Sequence, residues 1–159
     1  MQLTFNAVLV REQDDDTPDQ PDFYTIGYEK RTIRDFLDTL KAHGITAVVD
    51  VRKNPYSRKK WFSAEELMRA LASVDIDYVS TDYLGTPVKL RRSFLRGEIG
   101  WEEFREKYLE EVKPDVTELM LFTQEGTPVL MCYERDWRRC HRRILAELME
   151  EQGLRCQHL

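Results

Sequence analysis

No apolar run approaches the roughly 18 residues needed to span a bilayer, and the amino terminus, MQLTFNAVLVREQDDD, has neither a basic stretch nor a long apolar one. A membrane span and a secretory signal are both disfavoured, and no membrane partner is expected. Cysteine is scarce: Cys132, Cys140 and Cys156 form an odd set with no framework spacing and no Cys-x-x-Cys pair. This disfavours a disulfide-stapled secreted fold and makes the reducing cytoplasm the expected compartment. There is no internal repeat, and no low-complexity tract beyond an acidic connector. A basic excess is also missing, since the net charge is −5, so long-range steering of the whole molecule onto nucleic acid or anionic lipid is not expected. What is present suffices for a globular core: 159 residues, 42% hydrophobic and 11% aromatic. The expected organisation is an N-terminal segment and acidic connector over 1–22, then a single α/β domain over 23–159.

Residues 1–12 have the character of a short edge strand, and 13–22 of a polar linker. Phe23–Gly27 reads as a first strand. Thr32, with Asp35 three positions on, caps a helix carrying Ile33, Phe36, Leu37 and Leu40, and Gly44 stops it. Thr46–Val51 is a short apolar run of the kind buried on both faces of a parallel sheet. After the basic loop RKNPYSRKK, Ser63 and Glu66 have the spacing of a capping box opening a helix to about Ser73. Ile76–Val79 reads as a third strand, and Leu84–Gly100 as a long loop. Helices are expected near 101–112 and 115–124, and a fourth strand over Pro128–Tyr133. Asp136 caps a last helix to about Gln152 with an inward stripe of Trp137, His141, Ile144, Leu145 and Leu148, and Leu154–His158 is a final strand. Alternating strands and helices predict a three-layer α/β fold, Rossmann-like or rhodanese-like, its mostly parallel sheet covered on both faces.

In such sheets ligands bind beyond the carboxyl ends of the strands. Most of the 24 basic residues fall in three groups near those ends: Arg52, Lys53, Arg58, Lys59 and Lys60; Lys89, Arg91, Arg92 and Arg96; and Arg135, Arg138, Arg139, Arg142 and Arg143. Solvated surface runs are one reading of these groups. The other is convergence on an anionic ligand, because like charges gather unfavourably unless something negative fills the gap.

Tyr24-Thr25-Ile26-Gly27-Tyr28, Asp50-Val51-Arg52 with Pro55 and Ser57-Arg58, Tyr83-Leu84-Gly85, Leu130-Met131-Cys132-Tyr133-Glu134 and Cys140-His141-Arg142 together resemble the domain of unknown function 488 family, over residues 23–159. The resemblance implies an α/β three-layer fold and carries no established activity. Thr86 departs from it, standing where relatives are expected to continue with glycine.

Cys132, five residues and Arg138 between a strand and a helix resemble the layout of cysteine phosphatases, and Asp50-Val51-Arg52 resembles the rhodanese Asp-x-Arg strand end. Backbone N–H groups and a helix N-terminus would there activate the thiol while arginine holds the oxyanion. Glu134, Asp136 and the lack of glycine in the loop weigh against a thiolate, and the alternative is a buried Cys132 acting as a small hydrophobe. Glu134 reads as a salt-bridge organiser or a general base, its pKa lowered by arginines. Paired with Asp50 it would suit acid/base chemistry or Mg²⁺. His141 is either a packing histidine or a proton-transfer group. A zinc set from Cys132, Cys140, His141 and Cys156 or His158 lacks the spacing of a zinc module, and no metal ligand is assigned. Arg52, Ser57, Arg58, Arg138 and Arg142 are the candidate anion ligands, and Tyr56 the best placed of the loop aromatics to stack on a base. The reading that results is a cationic cleft for a phosphate-bearing ligand, a nucleotide or nucleic-acid end, with hydrolysis as a candidate reaction. The alternatives are cysteine-dependent sulfur or phosphoryl transfer and a non-catalytic nucleic-acid-binding module.

Overall fold

Short runs become the parallel strands β1 (Phe23–Gly27), β2 (Ala47–Asp50), β3 (Asp77–Ser80), β4 (Pro128–Cys132) and β5 (Cys156–His158), ordered β3-β2-β4-β1-β5 in one sheet. A computed structural model describes residues 20–159. The edge strand expected at 1–12, and all but the last three residues of the connector at 13–22, lie outside the described residues.

Alternation along the strands divides the core into two layers. Val129 and Met131 of β4, with Tyr24, Ile26 and Val48, meet helices α1 (Ile33–Ala42) and α2 (Ala64–Ala72) through Phe36, Leu40, Leu67 and Leu71. Leu130 and Cys132, with Phe23 and Val49, face the other layer: α3 (Val88–Leu95), α4 (Trp101–Val112), α5 (Thr117–Glu125) and α6 (Arg142–Glu151). Helices therefore cover both faces of an all-parallel sheet, the expected three-layer α/β architecture. Among the described residues, no helix is long and apolar enough to cross a membrane.

The Thr32 cap forms as expected, its hydroxyl accepting the Asp35 N–H at 3.0 Å. Three expectations are corrected. Ser63 and Glu66 do not form a capping box. The Ser63 hydroxyl instead donates to the Ser57 carbonyl, and the Glu66 carboxylate accepts the Trp61 N–H at 2.7 Å, so both residues tie down the basic loop. Residues 84–100 are not a loop, because Leu90 and Phe94, one turn apart, anchor α3, with Phe94 stacked on Phe104 at 4.6 Å. The last helix does not start after Asp136. That residue caps only a 3₁₀ turn at Trp137–Arg139, and Cys140 is extended (φ −125°, ψ 144°), so α6 begins at Arg142.

Trp137 thereby leaves the inward stripe and stacks on His158, centroids 3.8 Å apart. The Thr25 hydroxyl accepts from Arg142 Nε at 3.3 Å and shares a hydrogen bond with His158 Nδ1 at 2.6 Å. Burial first, then the charges of Arg142 and Arg138, push the His158 pKa down to about 4; Glu147 opposes the shift and Arg143 adds to it. Because the unfolded chain takes up this proton near pH 6.5, the contribution is whole above that pH and is lost as pH falls through 4. Discounted for the half-exposed ring, wild type should lose about 1–2 kcal/mol more than His158→Asn between pH 7 and pH 4.5, measured by urea unfolding. Parallel losses in the two proteins would refute it.

Candidate functional site

The carboxyl ends of β1, β2 and β4 open onto a cavity of about 660 Å³, walled by the loop after β2, by α3 and by the end of β4. Its cations come from two sources: Arg52, Lys53 and Arg58 from the loop, and Arg91 and Arg92 from α3 with Arg96 at its C-cap. Among the described residues, no Asp or Glu lines it. Helical spacing explains the second set. With Leu90 and Phe94 turned inward, Val88, Arg91, Arg92, Leu95 and Arg96 share the opposite face and present it to the cavity. Gly85 fixes that wall against the first, since a Cβ there would overlap the backbone of Lys53. Beside it the buried Thr86 lines the cavity.

Beneath the cavity lies an ion pair. The Asp50 carboxylate is fully buried; it accepts from Arg52 Nε at 2.8 Å, Arg52 Nη2 at 2.7 Å and the Tyr78 hydroxyl at 2.6 Å. Arg52 Nη1 donates to the Phe62 carbonyl at 2.8 Å and to the Tyr28 hydroxyl at 3.1 Å. Burial works against the Arg52 charge, but Asp50 outweighs it and raises the guanidinium pKa. The expected Asp50–Glu134 pair for Mg²⁺ does not form, because both Asp50 oxygens are filled by Arg52 and Tyr78, while Glu134 Oε1 accepts from Arg91 Nη2 at 2.8 Å. These two carboxylates do not fit a shared magnesium ion.

On the α3–α6 side of the floor, Cys132, Cys140 and His141 come together, all three buried. His141 Nε2 is 2.7 Å from the Val51 carbonyl, which can only accept, so this nitrogen carries the proton. Nδ1 faces both sulfurs, at 3.9 Å from Cys132 Sγ and 3.9 Å from Cys140 Sγ. Cys132 Sγ also donates to Glu134 Oε2 at 3.5 Å. Cys140 and burial raise the Cys132 thiol. Burial also acts to raise Cys140, but the hydrogen bond with Cys132 and the charges of Arg142 and His141 bring it down. The expectation of a lowered Glu134 pKa is corrected. Burial and the neighbouring Cys140 push it up, and Arg91 only partly offsets them.

Of the residues singled out from the sequence, Arg52, Tyr56, Ser57, Arg58, Cys132 and His141 line the cavity. Arg138 and Arg142 do not. The Arg142 guanidinium is fully buried, donating to the Glu134 carbonyl at 2.6 Å, the Thr25 hydroxyl at 3.3 Å and the Arg135 carbonyl at 3.4 Å. Arg138 is exposed, over the Trp137 ring and beside Asp136. In the loop after Cys132, the Arg135 N–H donates to Glu29 and the Arg138 N–H to Asp136, so neither of these two points at a ligand. Only two of the three basic groups converge. The sequence reading passed over Arg91, Arg92 and Arg96 as individual ligands, although their spacing around Leu90 and Phe94 was a usable signal.

The fold and site define a three-layer α/β protein with a cation-lined cavity at the carboxyl edge of a parallel sheet. The family model described as Domain of unknown function DUF488 matches residues 32–149, and the chain belongs to that family. The matched segment contains every cavity residue except Tyr28. No curated protein and no solved structure matches the chain.

Proposed function

We propose that the cavity binds a phosphate-bearing ligand, a nucleotide or a nucleic-acid end. The observation that carries this reading is a wall of six cations with no carboxylate beside them among the described residues, in a chain of net charge −5. Arg52 is committed to Asp50 and Arg91 to Glu134, whereas Lys53, Arg58, Arg92 and Arg96 make no ion pair among the described residues. Those four exposed groups are the natural anion ligands, with Arg92 and Arg96 one helical turn apart. Tyr56 (65% exposed) and Tyr133 (39% exposed) stand at the cavity as stacking faces for a base.

The test is fluorescence anisotropy with a labelled nucleoside triphosphate and a 5′-phosphorylated single-stranded oligonucleotide. Wild type should bind at least one of these, with affinity falling about 10-fold when salt is raised fourfold. Arg92→Glu and Arg96→Glu should each weaken binding by about 10-fold or more and leave stability nearly unchanged, since both side chains are exposed. No binding of either probe at low salt, or binding indifferent to both substitutions, would overturn the reading. Preference for the oligonucleotide with no catalytic turnover would identify the non-catalytic nucleic-acid module.

A further inference from the structure

We propose that Cys132, Cys140 and His141 form a binding site for one thiophilic divalent cation, zinc in the first instance, with an open coordination position towards the cavity. Their three donor atoms lie within 4.8 Å of one another. For a tetrahedral zinc ion with the usual Zn–S and Zn–N lengths, sulfur and nitrogen donors sit about 3.6 Å apart. The two Sγ–Nδ1 separations of 3.9 Å are within a few tenths of an ångström of that. The protonated Nε2 of His141 donates to the Val51 carbonyl, which leaves the Nδ1 lone pair aimed between the sulfurs. An outer hydrogen bond of this kind orients an imidazole for a metal. Two sulfurs and one nitrogen favour zinc over magnesium or calcium, which take oxygen donors.

The elements explain the convergence. Cys132 is the last residue of β4 on its α3–α6 face, and the extended Cys140 returns the chain so that His141 precedes α6. Cys132 and His141 line the cavity, so a fourth ligand would enter from that side. Glu134 Oε2 lies 3.5 Å from Cys132 Sγ, at the margin of the donor set. Glu150, Cys156 and His158 also cluster within 4.8 Å, but Glu150 is exposed and His158 Nδ1 is already engaged by Thr25. The proposal rests on the donor set alone and does not require the phosphate reading.

The test titrates the full chain, purified without chelator, with Co²⁺ and then Zn²⁺. One Co²⁺ per chain is expected, with thiolate charge-transfer and tetrahedral ligand-field absorption that Zn²⁺ abolishes. Cys132→Ser and Cys140→Ser should each weaken binding by about 100-fold or more, and Cys156→Ser should leave it intact. Because a buried substitution can unfold the chain, wild type is also alkylated with and without Zn²⁺ and the thiols mapped by mass, where Zn²⁺ should protect Cys132 and Cys140. Failure of Co²⁺ to bind stoichiometrically, loss of the absorption in Cys156→Ser alone, or no protection of the two thiols would each overturn the site.

Discussion

Asp50→Asn should destabilise the protein by about 3–5 kcal/mol, the largest loss expected from a substitution near the site. The amide keeps the shape of the carboxylate but removes its charge, leaving the Arg52 guanidinium, 5% exposed, without a counterion. A buried charge without a partner costs more than the pair is worth, because water can no longer solvate it. The neutral acceptors left to Arg52, the Phe62 carbonyl and the Tyr28 hydroxyl, offset only part of that cost. A double variant that also carries Arg52→Met should recover much of the loss, since an apolar side chain of similar length tolerates the same enclosure. Urea unfolding of wild type, both single variants and the double variant would give the coupling energy. A loss below about 1 kcal/mol in Asp50→Asn would mean that water reaches the pair and that the cavity floor is wet. With Arg52 displaced, the wall formed by Lys53 and Arg58 has lost its footing, so ligand affinity should fall along with stability.

The parts of this arrangement legible in the sequence are those set by neighbours along the chain. The apolar run at β2 and the Thr32 cap are local signals, and both form. So is the placement of Asp50 and Arg52 two residues apart, which brings their side chains out on one side where the strand ends. The sequence obscured α3 because Gly85, Pro87 and four basic residues surround only two inward-facing apolar positions, Leu90 and Phe94. The third basic group was misplaced for a different reason. Its guanidinium groups have destinations that charge counting ignores: Arg139 lies 5.1 Å over Phe94 and Arg143 4.7 Å over Trp101, while Arg142 turns inward to backbone carbonyls. Adjacent helical positions are rotated by about 100°, so Arg142 and Arg143 part company, one buried and one half-exposed. Charge alone does not say which goes in. The meeting of Cys132 with Cys140 depends on the break in helix at Cys140, and no propensity of the surrounding residues announces that break.

Gly27→Ala should cost about 3 kcal/mol or more and open the floor of the cavity. The glycine ends β1, paired with Cys132 of β4, and a Cβ built on it would overlap the carbonyl of Glu134. Its neighbour here is backbone, which cannot rotate away as a side chain would, so the Tyr133–Arg135 segment has to move. That segment is tied down on every side: the Glu134 carbonyl accepts from Arg142 at 2.6 Å, the Glu29 N–H donates to the Tyr133 carbonyl at 2.9 Å, and the Arg135 N–H donates to the Glu29 carboxylate at 2.9 Å. Moving it strips the buried Arg142 of an acceptor, which adds the cost of a poorly solvated charge to the steric one. Exposed glycines should behave differently. At Gly100 nothing lies within 4 Å of a new Cβ, so Gly100→Ala is the control, expected to stay within about 0.5 kcal/mol of wild type. The displaced loop begins one residue after Cys132, so Gly27→Ala should also alkylate faster than wild type at Cys132, a local readout separate from global unfolding. A variant as stable as wild type with an unchanged Cys132 reaction rate would show that β1 and the loop after β4 do not approach each other this closely, and the floor built on that contact would have to be redrawn.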